Sequence, residues 1–195
     1  MSGKIITISR QFGSGGRTIG KKLAAELGIP CYDSEIIAEI AKKSGFDQDY
    51  VRENSEYTSE TGLFAALSGV DFYGHSNRDE IWITQCRVIR ELAEEGPCVI
   101  IGRCADYVLK EDHDLLKVFI YSDMESRAKR IVEQYGESNV NPEKRLKDKD
   151  KRRAAYYELY TDQKFGDFNN YDLCLNSGTI GLDKCVDIIR QIYQK

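Results

Sequence analysis

Within the run Ser9-Arg10-Gln11-Phe12-Gly13-Ser14-Gly15-Gly16-Arg17-Thr18, three glycines fall together with the guanidinium of Arg17 and the hydroxyl of Thr18. These are the groups that hold a polyphosphate. Glycine lets backbone N–H groups approach an anion closely, and a helix beginning just beyond adds its positive end. Arg17 is a permanent cation able to reach terminal phosphates, and Thr18 offers the hydroxyl that such sites place on Mg2+. The usual phosphate-loop pattern is Gly, four residues, then Gly-Lys-Ser/Thr. Here Gln11 stands in the first glycine's place and Arg17 in the lysine's. The chemistry implied is phosphoryl transfer or nucleotide binding, with Gly13, Ser14, Gly15, Gly16, Arg17 and Thr18 as the cradle. A tight strand-to-helix turn without a ligand is the alternative.

Phosphoryl transfer asks a protein for alignment of two substrates and for cations around the migrating group. Arg103, after the apolar run Cys98 to Ile101, is suited to clamp an acceptor phosphate through two parallel hydrogen bonds. Its plainer role is a solvated charge at a strand end. Arg127 and Arg130 are three apart and share a helix face, as part of the same clamp or as an exposed rim. The basic run from Arg145 to Arg153 reads either as a solvated helix face or as a lid that closes over the cleft and excludes water.

The elements that place these groups follow from apolar spacing. Ile5 to Ile8 predicts a buried strand, and Ile19, Leu23 and Leu27 a helix after the glycine loop. Residues 29–32 predict a short strand ending at Asp33-Ser34, with helices over 34–44 and 47–54. Glu53 to Arg78 is irregular and glycine-containing, an insertion over a site or a plain surface excursion. A helix is predicted over 79–95 with Trp82, Cys86, Ile89 and Ala93 inward, then strands at 98–101 and 115–121. A helix over 124–135 turns Ala128, Ile131, Val132 and Tyr135 inward, and a charged helix covers 142–165. Tyr171 to Leu175 is the last strand, Asn176-Ser177-Gly178 a turn, and Leu182, Val186, Ile189 and Tyr193 mark a closing helix. Alternating strands and amphipathic helices predict an α/β fold, with a parallel sheet covered on both faces. Ligands then sit at the carboxyl ends of strands, so the glycine loop, Asp33-Ser34 and Gly102-Arg103 are expected at one cleft.

The net charge of −4 argues against binding a nucleic acid polymer, which calls for a basic field. No run is long enough to span a membrane and no signal-peptide pattern opens the chain, so a cytoplasmic protein is expected. The six cysteines lack any Cys-x-x-Cys spacing and read as reduced thiols. His75 and His113 are too few and too far apart for a metal site. The oligomeric state is not legible.

Taken together, six segments in order resemble the cytidylate kinase-like family, in the nucleoside monophosphate kinase branch of the P-loop fold. They are Ile8-Ser-Arg-Gln-Phe-Gly-Ser-Gly-Gly-Arg-Thr-Ile19, Cys31-Tyr-Asp-Ser34, Cys98-Val-Ile-Ile-Gly-Arg-Cys-Ala-Asp106, Glu125-Ser-Arg-Ala-Lys-Arg130, Asp150-Lys-Arg-Arg-Ala-Ala-Tyr-Tyr157 and Tyr171-Asp-Leu-Cys-Leu-Asn-Ser-Gly178. The resemblance implies one three-layer α/β/α domain over residues 1–195 with a five-stranded parallel sheet. It also implies a helical acceptor-binding insertion within 34–78 and a lid region within 136–166. It implies ATP and Mg2+ as cofactors, Thr18 on the metal, and small nucleotides as partners. Arg103 would grip the acceptor phosphate. Asp33 and Ser34 would lie at the acceptor, with Ser34, Asp150 and Arg153 reading cytosine. Asn176 to Thr179, including Gly178, would lie near the donor base. With Arg17, Arg127, Arg130 and Arg153 around the migrating group, the expected reaction is ATP-dependent phosphoryl transfer to a pyrimidine nucleoside monophosphate.

The sequence departs from the family at definite places. Cys104 stands where cytidylate kinases usually carry Asp, Leu146 replaces an arginine, and Glu35-Ile36-Ile37 follows Ser34 where Thr-Gly-Ala-Met-Tyr is usual. Two other readings therefore stay open: a kinase for another small metabolite, and a nucleotide-binding sensor with little turnover.

Overall fold

The computed structural model describes residues 4–54, 77–111, 114–134, 136 and 141–195. Five parallel strands form one sheet in the order β2-β3-β1-β4-β5: β1 (Ile5–Arg10), β2 (Cys31–Tyr32), β3 (Val99–Ile101), β4 (Leu115–Tyr121) and β5 (Leu173–Asn176). β1 is central and every residue in it is buried. It pairs with β3 through Ile6↔Val99 and with β4 from Ile5↔Leu115 to Arg10↔Ile120. Such a strand is covered on both faces, which is why it reads as an unbroken apolar run.

Helices α1 (Gly16–Leu27) and α9 (Leu182–Tyr193) cover one face. Ile19, Leu23, Val186 and Ile189 pack there against Ile6, Ile8, Val118 and Ile120. The other face is covered by α2 (Glu35–Ser44), α3 (Gln48–Asn54) and α4 (Asn77–Glu94), whose Ile36, Ile40, Val51, Ile81 and Ile89 meet Ile5 and Ile100. The short α5 (Ala105–Val108) follows β3, and α6 (Met124–Glu133) and α7 (Pro142–Thr161) come between β4 and β5. The single-turn α8 (Ser177–Ile180) precedes α9. α7 docks through an aromatic cluster. Trp82 of α4 stacks on Tyr160 at 4.5 Å and meets Tyr156 edge-on at 6.3 Å, and Tyr156 and Tyr157 bury Cys104.

The differences from the sequence expectation have local causes. β2 begins at Cys31, although Pro30 still accepts a hydrogen bond from the Val99 amide. The buried face of α4 is Ile81, Gln85, Val88 and Ile89, while Trp82 and Cys86 pack only partly. α7 stops at Thr161, because Asp162 adopts a left-handed φ of 54°. β5 starts at Leu173, since a 3-10 turn over Phe168–Asn170 precedes it. Asn176 does not open a plain turn but caps α8. The inward face of α6 carries Arg127 beside Ile131. Tyr135, both histidines and the irregular stretch over 55–76 lie outside the described residues. All six cysteines are free. Among the described residues no helix is long and apolar enough to cross a membrane, and no group of His, Cys, Asp or Glu is arranged to hold a metal.

Candidate active site

Residues 11–15 carry the chain from the end of β1 into α1, with Gly13 and Gly15 at φ of 75° and 82°. A Cβ on Gly15 would stand 2.5 Å from Leu182 Cδ2, and one on Gly16 would stand 2.6 Å from Arg10 Cβ. The loop is therefore packed to backbone thickness. Ser14 Oγ donates to Gln11 O at 2.9 Å, and Ser177 Oγ donates to Ser14 O at 2.5 Å. Gln11, in place of the first glycine, accepts the Ser122 amide through Oε1 at 3.2 Å, tying the loop to the end of β4. The first turn of α1 has no acidic residue and no capping side chain, so its amides and dipole are left for an anion.

Two arginines brace this loop from α6. Arg130 Nη1 donates to Gly13 O at 2.7 Å, and Arg127 Nη1 donates to Phe12 O at 3.2 Å. Arg127 is buried and also pairs with Asp150 Oδ2 at 2.5 Å. These residues are not an exposed rim. They hold the Phe12 and Gly13 carbonyls of the loop. Asp150 Oδ1 accepts the Phe12 amide at 2.7 Å, so both its oxygens are engaged between loop and α6. With Gln11, Phe119, Phe165 and Phe168 it also lines a cavity of about 560 Å3 between α7 and strands β4 and β5.

Arg17 is largely exposed, and its Nε lies 2.5 Å from Oδ2 of the buried Asp33. This pair joins the glycine loop to the end of β2, as the strand-end rule requires. Ser34 is exposed at the head of α2, and Thr18 is exposed beside Arg17. Asn176 spends its Oδ1 on the amides of Gly178 and Thr179. Gly178 fits closely there, since a Cβ would lie 2.4 Å from Ser122 Oγ.

After β3 the chain turns through Arg103 and Cys104, both left-handed at φ of 59° and 54°. Gln85 Nε2 secures the turn by donating to Arg103 O at 3.0 Å. Arg103 is buried, and with Arg10, Arg153 and Tyr157 it lines a cavity of about 20 Å3, where Arg153 Nη1 donates to Arg10 O at 3.0 Å. That volume takes about one water.

Arg10 and Asp106 belong to this cluster without matching any phosphate-binding pattern. Their signal was a charged residue placed directly after or within an apolar run. Asp106 is buried in α5, where burial pushes its carboxyl above the usual range against the hydrogen bonds from Tyr157 and Ser9 and the charge of Lys117. The folded state thus binds this proton more tightly than the unfolded chain. Its contribution to stability is present below the ordinary carboxylate pKa and is lost as pH rises through the raised folded value. Asp106→Asn removes that slope. Between about pH 4 and about pH 7 the urea midpoint of the variant is expected to gain on the wild type. A constant gap across that range would assign the slope elsewhere.

Residues 5–179 match the sequence model of the cytidylate kinase-like family. A cytidylate kinase of Archaeoglobus fulgidus is 30% identical over 188 residues, covering 94% of this chain and 91% of that protein. One from Methanopyrus kandleri is 26% identical, covering 95% and 91%. Among solved structures, an uncharacterized protein from Eubacterium ventriosum superposes with a TM-score of 0.74 at 29% identity, covering 98% and 99%. Shikimate kinase from Acinetobacter baumannii, at 19% identity, a TM-score of 0.56 and coverage of 98% and 93%, shares the fold. With its glycine loop on the central strand of a 2-3-1-4-5 parallel sheet, the chain belongs to the cytidylate kinase-like family and is a kinase.

Proposed function

We propose that the protein transfers the γ-phosphoryl group of ATP to a pyrimidine nucleoside monophosphate. The observation that carries this reading is the convergence of Arg103 and Arg153 on one cavity, next to the strand that launches the phosphate loop. Simple nucleotide binding has no use for a second cationic site there. The donor's phosphates rest on the amides at the start of α1, with Asn176 to Thr179 near its base. Arg17, released from Asp33, reaches the outer phosphates. Arg103 and Arg153 take the acceptor phosphate by charge-assisted hydrogen bonds, aligning its oxygen with the γ-phosphorus. α7 closes over both and excludes water. Thr18 is exposed beside the uncapped first turn of α1, a hydroxyl placed as a Mg2+ site needs. Bound there, Mg2+ would neutralise charge on the phosphoryl oxygens.

A second reading, a kinase for another small acceptor, is favoured by Asp150. Its two oxygens are engaged with Phe12 and Arg127, which leaves the cytosine-reading set thinner than the family pattern implies. ADP formation with ATP and Mg2+ distinguishes the two, measured across CMP, dCMP, UMP, AMP, GMP and no acceptor. Turnover dependent on CMP or dCMP is expected. ATP binding without turnover on any monophosphate would overturn the first reading in favour of the second.

A further inference from the structure

We propose that Asp106 is a positioning residue that sets the spacing of the arginine cavity. Asp106 does not itself line that cavity; it is hydrogen-bonded to two residues that do, Ser9 and Tyr157. Its Oδ1 accepts a hydrogen bond from Ser9 Oγ at 3.3 Å and its Oδ2 one from Tyr157 OH at 2.7 Å. Each of these residues is covalently close to one arginine. Ser9 precedes Arg10 in β1, Asp106 itself follows Arg103 by three positions, and Tyr157 is one helical turn beyond Arg153 on the same face of α7. One carboxylate therefore ties together the three segments whose arginines line the cavity.

The chemistry explains why an acid stands here. A buried carboxylate is unfavourable unless its lone pairs are engaged, and apolar residues of equal volume would pack as well or better. What an apolar residue lacks is direction. A carboxylate with one donor on each oxygen fixes the relative placement of the two donor-bearing segments. Two parallel hydrogen bonds from a guanidinium to phosphate tolerate errors of only about half an ångström.

This inference rests on the reading of the cavity as the acceptor-phosphate site, and the test separates the two. Asp106→Asn keeps the volume and removes the charge. Tyr157→Phe removes the same hydrogen bond from the other side and leaves the carboxylate in place. Both variants are checked for a native near-ultraviolet dichroism spectrum and a cooperative melt. The acceptor KM, kcat, the ATP Kd and the inorganic phosphate Kd by calorimetry are then measured. The expected result is a loss of tenfold or more in kcat/KM for the acceptor in each variant, with the ATP Kd within twofold of wild type. Kinetics within twofold of wild type in folded Tyr157→Phe would overturn the tether, as would equal losses for ATP and acceptor. If the wild type turns over no monophosphate, the kinase reading fails first and the tether is judged on phosphate binding. A tenfold weakening in both variants then supports it. Unchanged binding, or a wild type that binds no phosphate, ends it.

Discussion

Arg103→Gly is expected to lower acceptor phosphorylation by about a hundredfold or more while leaving the protein more stable than Arg103→Ala. The two effects separate because Arg103 does two things at once. Its guanidinium enters the arginine cavity, and its backbone turns the chain out of β3 at a φ of 59°. A left-handed conformation costs a non-glycine residue about 1 kcal/mol or more, and glycine adopts it freely. The hydrogen bond from Gln85 goes to the backbone carbonyl and survives either substitution. Loss of the guanidinium removes charge stabilisation and alignment at the acceptor, about 3 to 4 kcal/mol of barrier or a loss of some hundredfold or more in kcat. Arg103→Lys keeps the charge without the planar fork and should fall between. Urea midpoints and steady-state rates on the three variants decide it. Turnover near wild type in Arg103→Gly would remove Arg103 from the mechanism.

Asp150→Ala should lose about 3 kcal/mol of stability and should depress turnover to a similar degree for every nucleotide acceptor. Arg127 has only 6% of its side chain exposed and Asp150 21%, so the pair sits largely out of water. Removing one partner strands the other charge, which costs about 3 to 5 kcal/mol when the site is closed. The Phe12 amide loses its acceptor in the same step. The phosphate loop and α7 should then loosen together. The measurement is a urea titration with parallel rates on CMP, UMP and AMP. A selective loss of CMP over AMP would instead make Asp150 a reader of the base.

The frame of the molecule was legible because its strands are short and covered on both faces. Ile5 to Ile8 and Val118 to Ile120 can be little else, and Gly15 and Gly16 stand where packing leaves no room for a Cβ. The spacing of Arg127 and Arg130 correctly placed them on one face. Which way that face points was not legible. Apolar periodicity counts an arginine as outward, and the partners that bury Arg127 are Asp150 and the Phe12 carbonyl, 23 and 115 positions away. The same holds for Asp106, whose partners Ser9 and Tyr157 lie 97 and 51 positions off. A charge beside an apolar run marks such a residue, but its partners over such separations leave no local pattern. The ends of elements were missed for a different reason: Asp162 breaks α7 by its backbone conformation and not by its composition.

Trp82 is the chain's single tryptophan, and its ring lies flat on Tyr160 of the helix that covers the arginine cavity. The protein thereby carries its own optical gauge. Its indole emission responds to the separation of α7 from α4, so any movement of that helix on substrate binding can be followed in unlabelled protein.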